Sequence, residues 1–112
     1  MKKIMLALLL VVIFCSSAFA ENPGVVMLST KTCPACRQMM RVLAKIDDKY
    51  GSELDVGLIY LEDEPEIAEE FNVSYVPVLV FLDDKGDVFA QEVGYKSEKE
   101  VMKIFERAGV KF

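Results

Sequence analysis

The chain has 112 residues, with thirteen lysines and arginines, eighteen aspartates and glutamates and no histidine, for a net charge of −5. That length makes one domain the default, and the acidic balance does not suit nucleic acid or an anionic membrane surface. The lack of histidine removes Cys–His nucleophilic catalysis and haem attachment.

The first twenty residues read as an export leader. Lys2 and Lys3 form a short positive region, Ile4 to Phe14 is an unbroken apolar run, and Ala18-Phe19-Ala20 offers small residues for cleavage after Ala20. Eleven apolar residues span little more than half of a bilayer core, so a transmembrane anchor is the weaker reading. A lipid anchor at Cys15 would have the bulky Phe14 before it, where a small residue is usual. The expected organisation is a signal peptide over 1–20 and one domain over 21–112, exported to the periplasm or beyond. With the two leader lysines gone, eleven basic and eighteen acidic residues leave the domain at −7. Its Val, Leu, Ile, Phe and Met content suffices for one modest core, and the domain is read as a monomer.

Val25 to Leu28 is apolar on both faces and predicts a buried strand. Ser29 to Thr32 is a polar turn, with Thr32 placed to cap the next helix. That helix is expected from about Cys33 to Tyr50, with Met39, Leu43, Ile46 and Tyr50 on one face and Arg37, Arg41, Lys45 and Asp48 on the other. Gly51 closes it. Leu54 to Leu61 is a second strand ending in Glu62-Asp63-Glu64, read as a solvated acidic cluster. Pro65 opens a short helix through Phe71. Val76 to Leu82 and Val88 to Val93 form a hairpin about the turn Asp83-Asp84-Lys85-Gly86. Ser97 and Glu100 make a capping box for a last helix that turns Val101, Ile104, Phe105 and Ala108 inward. The order strand–helix–strand–helix–strand–strand–helix describes one α/β domain, in which helix-separated strands favour parallel pairing and the hairpin is antiparallel.

Of three cysteines, only Cys33 and Cys36 lie outside the leader. A bridge across two residues closes a very small loop and removes little entropy from the unfolded chain, so a stapling role is weak and a chemical one leads. The pair sits where a strand gives way to a long helix. The first N–H groups of a helix lack internal partners and carry partial positive charge, so a thiolate there is stabilised. Cys33, at the extreme end, is the expected exposed nucleophile, and Cys36, one turn in, the more buried resolving thiol. Pro34 costs no hydrogen bond at the first turn and holds the sulfurs within bridging distance. Lys31, Arg37 and Arg41 either add positive potential or are ordinary solvated charge.

Cys33-Pro34-Ala35-Cys36, the segment from Phe71 to Phe81 containing Val76-Pro77, and Val93-Gly94-Tyr95 together resemble the thioredoxin family over nearly all of Gly24 to Gly109. The resemblance implies a thioredoxin-like α/β fold of order βαβαββα: a mixed four-stranded sheet with helices on both faces, lacking the strand and helix that usually come first. It implies a thiol–disulfide oxidoreductase needing no cofactor, with Pro77 in a cis bond facing the dithiol and Val76 offering backbone hydrogen bonds to an extended partner. From the residues alone, Pro77 is only a proline at a strand's first position. The resemblance suggests exported protein thiols or disulfides as partners, and a membrane electron carrier. The chain departs from the family in having Thr32 in place of a tryptophan, Met27 in place of a buried acidic residue, and Leu58 in place of its lysine partner. Ala35 cannot donate a hydrogen bond as a histidine between the cysteines would, which favours a reductant or intermediate potential over a strong oxidant.

Two other readings compete. Two cysteines are half of a tetrahedral zinc site, and neither histidine nor a second CxxC completes it; Met39 and Met40 suit Cu(I), but Met39 falls on the helix's apolar stripe. The other is a non-catalytic module of the same fold whose disulfide regulates partner docking.

Overall fold

Two kinds of segment with opposite habits, β-branched strands and amphipathic helices, settle around one sheet in the computed structural model, which describes residues 22–110. The expected leader lies outside them. The elements are β1 (Gly24–Ser29), α1 (Pro34–Tyr50), β2 (Asp55–Tyr60), α2 (Pro65–Glu70), β3 (Val78–Leu82), β4 (Val88–Val93) and α3 (Glu98–Arg107). The strands lie in the order β2-β1-β3-β4. β1 and β2 are parallel, while β3 is antiparallel to both β1 and β4.

The antiparallel β1–β3 pair differs from the parallel pairing that an intervening helix favours. α2 is only six residues long, and the seven residues after it stay at the end of the sheet where β2 finishes. The chain thus enters β3 from that same end, and Leu28 near the end of β1 lies opposite Val78 at the start of β3. Asn72, at a positive φ of 52°, turns the chain out of α2; asparagine tolerates that conformation. β3 begins at Val78 rather than Val76, since Pro77 has no N–H for the ladder.

One face of the sheet carries the main core. Val25 and Met27 of β1, Leu79 and Phe81 of β3, Met39, Leu43 and Ile46 of α1 and Val101 and Phe105 of α3 form one buried cluster with Cys36. Phe105 meets Phe81 edge-on at 5.2 Å and Phe89 at 5.7 Å, and burying such a ring is worth about 1.5–3 kcal/mol. The other face is thinner: Leu28, Val78 and Val80 are covered by Ile67, Phe71 and Val73 in and after α2. Helices thus cover both faces.

The helix ends mostly follow the sequence signals. Ser97 Oγ accepts the Glu100 N–H, and a Glu100 carboxylate oxygen accepts the Ser97 N–H in return. Lys49 at the end of α1 reaches Glu98 at the start of α3 at 2.8 Å. Ala108 is exposed, because α3 ends at Arg107 before another inward turn is made. Gly51 has an ordinary right-handed φ of −58°. It is required for space instead, since a Cβ there would lie 2.5 Å from the Asp47 carbonyl oxygen. Among the described residues, no helix is long and apolar enough to cross a membrane.

Candidate active site

Three chain segments converge at the end of the sheet where β1 and β2 finish and β3 starts. The first is the entry to α1. Cys33, not Thr32, is the residue that caps it: its backbone is extended, at φ −96° and ψ 112°, and its Sγ accepts the Cys36 N–H at 3.1 Å. This is one of the N–H groups that a helix start leaves without an internal partner. Pro34 comes next, in the first helical position, where its missing N–H costs nothing. Arg37 N–H donates to the Cys33 carbonyl at 3.3 Å, closing the first α turn.

Cys33 and Cys36 are joined in a disulfide with Cα atoms 5.2 Å apart, within ordinary bridging range. Cys33 is half-buried and Cys36 is 1% exposed. The two sulfurs therefore differ in access although they are bonded. Cys36 sits in the main core with Val25, Met27, Met39 and Leu79. Among the described residues no carboxylate is buried, and Met27, where the family has a carboxylate, is fully buried in the cluster that holds Cys36. Leu58, where the family has a lysine, is the register partner of Met27 across the parallel pair.

The second segment is the loop before β3. The Val76–Pro77 bond is cis, and the Val76 carbonyl oxygen lies 4.0 Å from Cys33 Sγ. Pro77 is buried, and its carbonyl accepts the Gly94 N–H at 2.7 Å. Gly94, in the third segment, has φ 94°, which a side chain would resist. This bond ties the turn after β4 to the proline loop. Tyr75, 76% exposed, and the exposed Tyr95 stand on these two loops, with the exposed Val93 at the end of β4. The residues singled out in the sequence, Cys33, Cys36, Val76 and Pro77, are thus brought together.

Two supports were not apparent from sequence. Lys31 donates its backbone N–H to Glu62 at 2.8 Å and its ammonium to Asp63 at 3.1 Å, and the ammonium stands 5.8 Å from the Tyr60 ring centroid. The hydrogen bond to Asp63, with that carboxylate's charge, holds the Lys31 ammonium above its ordinary range. Its charge is committed to Asp63 rather than projected at Cys33, and two members of the acidic cluster hold the dithiol loop. The signal for this was the parallel β1–β2 pairing, which places the loops leaving those strands side by side. The second support is Met39, whose Sδ accepts the Lys96 N–H at 3.3 Å and so links α1 to the turn carrying Gly94. Arg37 and Arg41 are simply exposed on α1. Among the described residues, no group of three or more His, Cys, Asp or Glu side chains is placed to hold a metal ion.

Comparison with known proteins agrees with this geometry. A family model described as a thioredoxin-like domain matches residues 20–109. The chain is 28% identical over 72 residues to a thioredoxin of Bacillus subtilis, covering 64% of this chain and 68% of that one. It is 27% identical over 75 residues to a thioredoxin of Listeria monocytogenes, covering 67% and 72%. It also matches the NADPH-dependent thioredoxin reductase 3 of Arabidopsis thaliana at 28% over 90 residues, 79% of this chain but only 17% of that relative's length. Among solved structures, a thioredoxin-like protein from Clostridium perfringens superposes with a TM-score of 0.71 at 29% identity, over 81% of this chain and 74% of that one. The malaria parasite's thioredoxin-2 shares the fold, with a TM-score of 0.71 at 20% identity over 78% and 84% of the two chains. Matched by the family model over nearly every described residue and superposable on that fold, the chain belongs to the thioredoxin-like family.

Proposed function

We propose that the protein is an exported thiol–disulfide oxidoreductase that exchanges electrons through Cys33 and Cys36, with Val76 and Pro77 docking the partner. The observation that carries this is the unequal pair: a half-buried Cys33 on the helix cap, bonded to a Cys36 that is 1% exposed. Only one sulfur is accessible to a partner, and the other is placed to displace it.

In the reducing direction the Cys33 thiolate attacks one sulfur of a partner disulfide. A Cys33–partner bond forms, the partner's S–S bond breaks, and the departing thiolate takes a proton from water. Cys36 then loses its proton and attacks Cys33 Sγ. The Cys33–Cys36 bond forms, and the second partner thiolate leaves and is protonated. Two electrons and two protons pass to the partner. The helix start stabilises the attacking and departing Cys33 thiolate through the Cys36 N–H and the aligned peptide dipoles. With no buried carboxylate among the described residues, water or the departing partner thiolate takes the Cys36 proton. The Val76 carbonyl, beside Cys33 Sγ, accepts a backbone N–H from an extended partner segment in this scheme.

The leader supports export, and exported proteins with cysteines are the proposed partners, with a membrane electron carrier resupplying electrons to a monomer. The absence of histidine between the cysteines favours a reductant or intermediate potential. Insulin reduction by dithiothreitol tests the activity: the wild type is expected to accelerate it and Cys33→Ser to abolish that acceleration. Equal rates would instead support a non-catalytic docking module. Equilibration with glutathione tests the direction, since a potential near about −270 mV marks a reductant and one near about −120 mV an oxidant.

A further inference from the structure

The geometry points to the open edge of β2 as a docking site for an extended segment of another polypeptide, apolar at its centre and basic at its two ends. The Asp55 and Leu61 N–H groups donate to Pro23 and Ser29, both on the β1 side. Because strand residues alternate in direction, the backbone groups of Val56, Leu58 and Tyr60 point away from the sheet. The Tyr60 carbonyl is taken by the Asp63 and Glu64 N–H groups. The outward N–H groups of Val56, Leu58 and Tyr60 and the outward carbonyls of Val56 and Leu58 pair with no described residue.

The sheet's two edges are treated differently. β4 is interrupted by a register shift opposite Phe81 and Leu82, a bulge of the kind that blunts an edge, and it carries Glu92. β2 pairs with β1 without a shift over all six residues and contains neither lysine nor proline. Beside it runs an apolar groove of about 200 Å³, floored by Met27, with Met40 and Ala44 on the helix side and Val56 and Leu58 on the strand side. Met40 is 37% and Leu58 39% exposed. An added strand would hydrogen-bond to β2 while its alternate side chains lie over this groove.

Charge selects the occupant. Glu53 and Asp55 are exposed at the start of β2, and Glu62, Asp63 and Glu64 at its end. Asp47 is the charged residue of the groove wall. Lys31 offsets Asp63. A second copy paired edge to edge sets acid beside acid in either strand direction, parallel or antiparallel. Lysine or arginine at both ends of a foreign strand meets opposite charge instead. The site is separate from the dithiol, and its occupancy requires no thiol exchange.

The test is amide protection and chemical-shift mapping by NMR on isotope-labelled protein purified from cells expressing the full chain. The probe is the capped heptapeptide Lys-Val-Thr-Val-Thr-Val-Lys. The expected result is protection of the Val56 and Leu58 amides on adding it, with weaker binding as salt rises. The same peptide with glutamate at both ends is expected to bind about tenfold more weakly. Leu58→Gln, at an exposed position, is expected to weaken binding of the lysine-ended probe while leaving insulin reduction unchanged. Absence of protection at millimolar peptide, or equal binding by the two peptides, overturns the proposal. So does protection of these amides before any peptide is added, whether in a monomer, where the chain's own N-terminal segment covers the edge, or in a dimer.

Discussion

The two halves of the dithiol site are held by different forces. Below the disulfide, Cys36 is fixed by close apolar packing against Met27, Met39 and Leu79. Above it, Cys33 is surrounded by loops held through single polar contacts: Lys31 to Glu62 and Asp63, Gly94 to Pro77, and Lys96 to Met39. Packing in a dry core is insensitive to salt and intolerant of volume or charge changes, whereas exposed polar contacts are weak and screened. The lower half therefore sets whether the site exists, and the upper half adjusts how it reacts.

The strongest challenge to this contrast is a charge placed in the lower half. Met27→Asp restores a carboxylate beneath Cys36 without the lysine partner, since Leu58 faces it in register. It is expected to cost on the order of 3–5 kcal/mol in denaturant unfolding. In the folded fraction it should speed resolution of a mixed disulfide. In the wild type, the pH–rate profile of that resolution should show no break in the carboxylate range; a break there would mean that an acidic side chain serves Cys36.

A volume change in the same half comes next. Met39→Ala should cost about 2–5 kcal/mol. Met39→Leu keeps most of the packing and should cost less than about 1.5 kcal/mol, while leaving the Lys96 N–H without its sulfur acceptor. If the thioether positions the Gly94 turn, Met39→Leu will raise KM for a protein disulfide more than it lowers kcat. Equal changes in both would reduce Met39 to a packing residue.

The upper half should respond more gently. Lys31→Met removes the ammonium that pairs with Asp63 while keeping the backbone N–H bond to Glu62, and the uncompensated negative charge at the dithiol loop should slow attack by Cys33 by a factor of about two to five. The difference should vanish in about 1 M salt. A change that survives salt would mean that Lys31 acts through packing over Tyr60.

The smallest effect lies far from the dithiol. The Ser97 N–H and the Ser97 hydroxyl contacts hold the Glu100 carboxyl below its ordinary range. A carboxyl depressed in the folded state contributes stability above its unfolded pKa, about 4.3, and loses it as pH falls through the lower folded value. Acid titration monitored by helical circular dichroism should show this loss for the wild type and not for Glu100→Gln.

Much of the upper half was illegible from sequence because its contacts join residues far apart. Lys31 and Asp63 are 32 positions apart, and Cys33 and Val76 are 43. The acidic run after β2 has the composition of any solvated strand end, and nothing local says that a loop from the neighbouring strand will reach it. The lower half was easier: Met39, Leu43 and Ile46 recur at helical spacing, and all three are buried. Gly51 does end α1, but the reason is steric contact with Asp47 rather than a left-handed turn.

By itself, the sequence determined the elements, their order and the position of Cys33 and Cys36 at a helix start. Periodicity, capping chemistry and proline geometry act over a few residues and leave a local record. The tertiary structure alone decided that β3 runs against β1, that Cys33 rather than Thr32 caps α1, that Lys31's charge is committed to Asp63, and that the edge of β2 stands open. Those outcomes depend on which strand ends and loops become neighbours, and no short window of residues contains that.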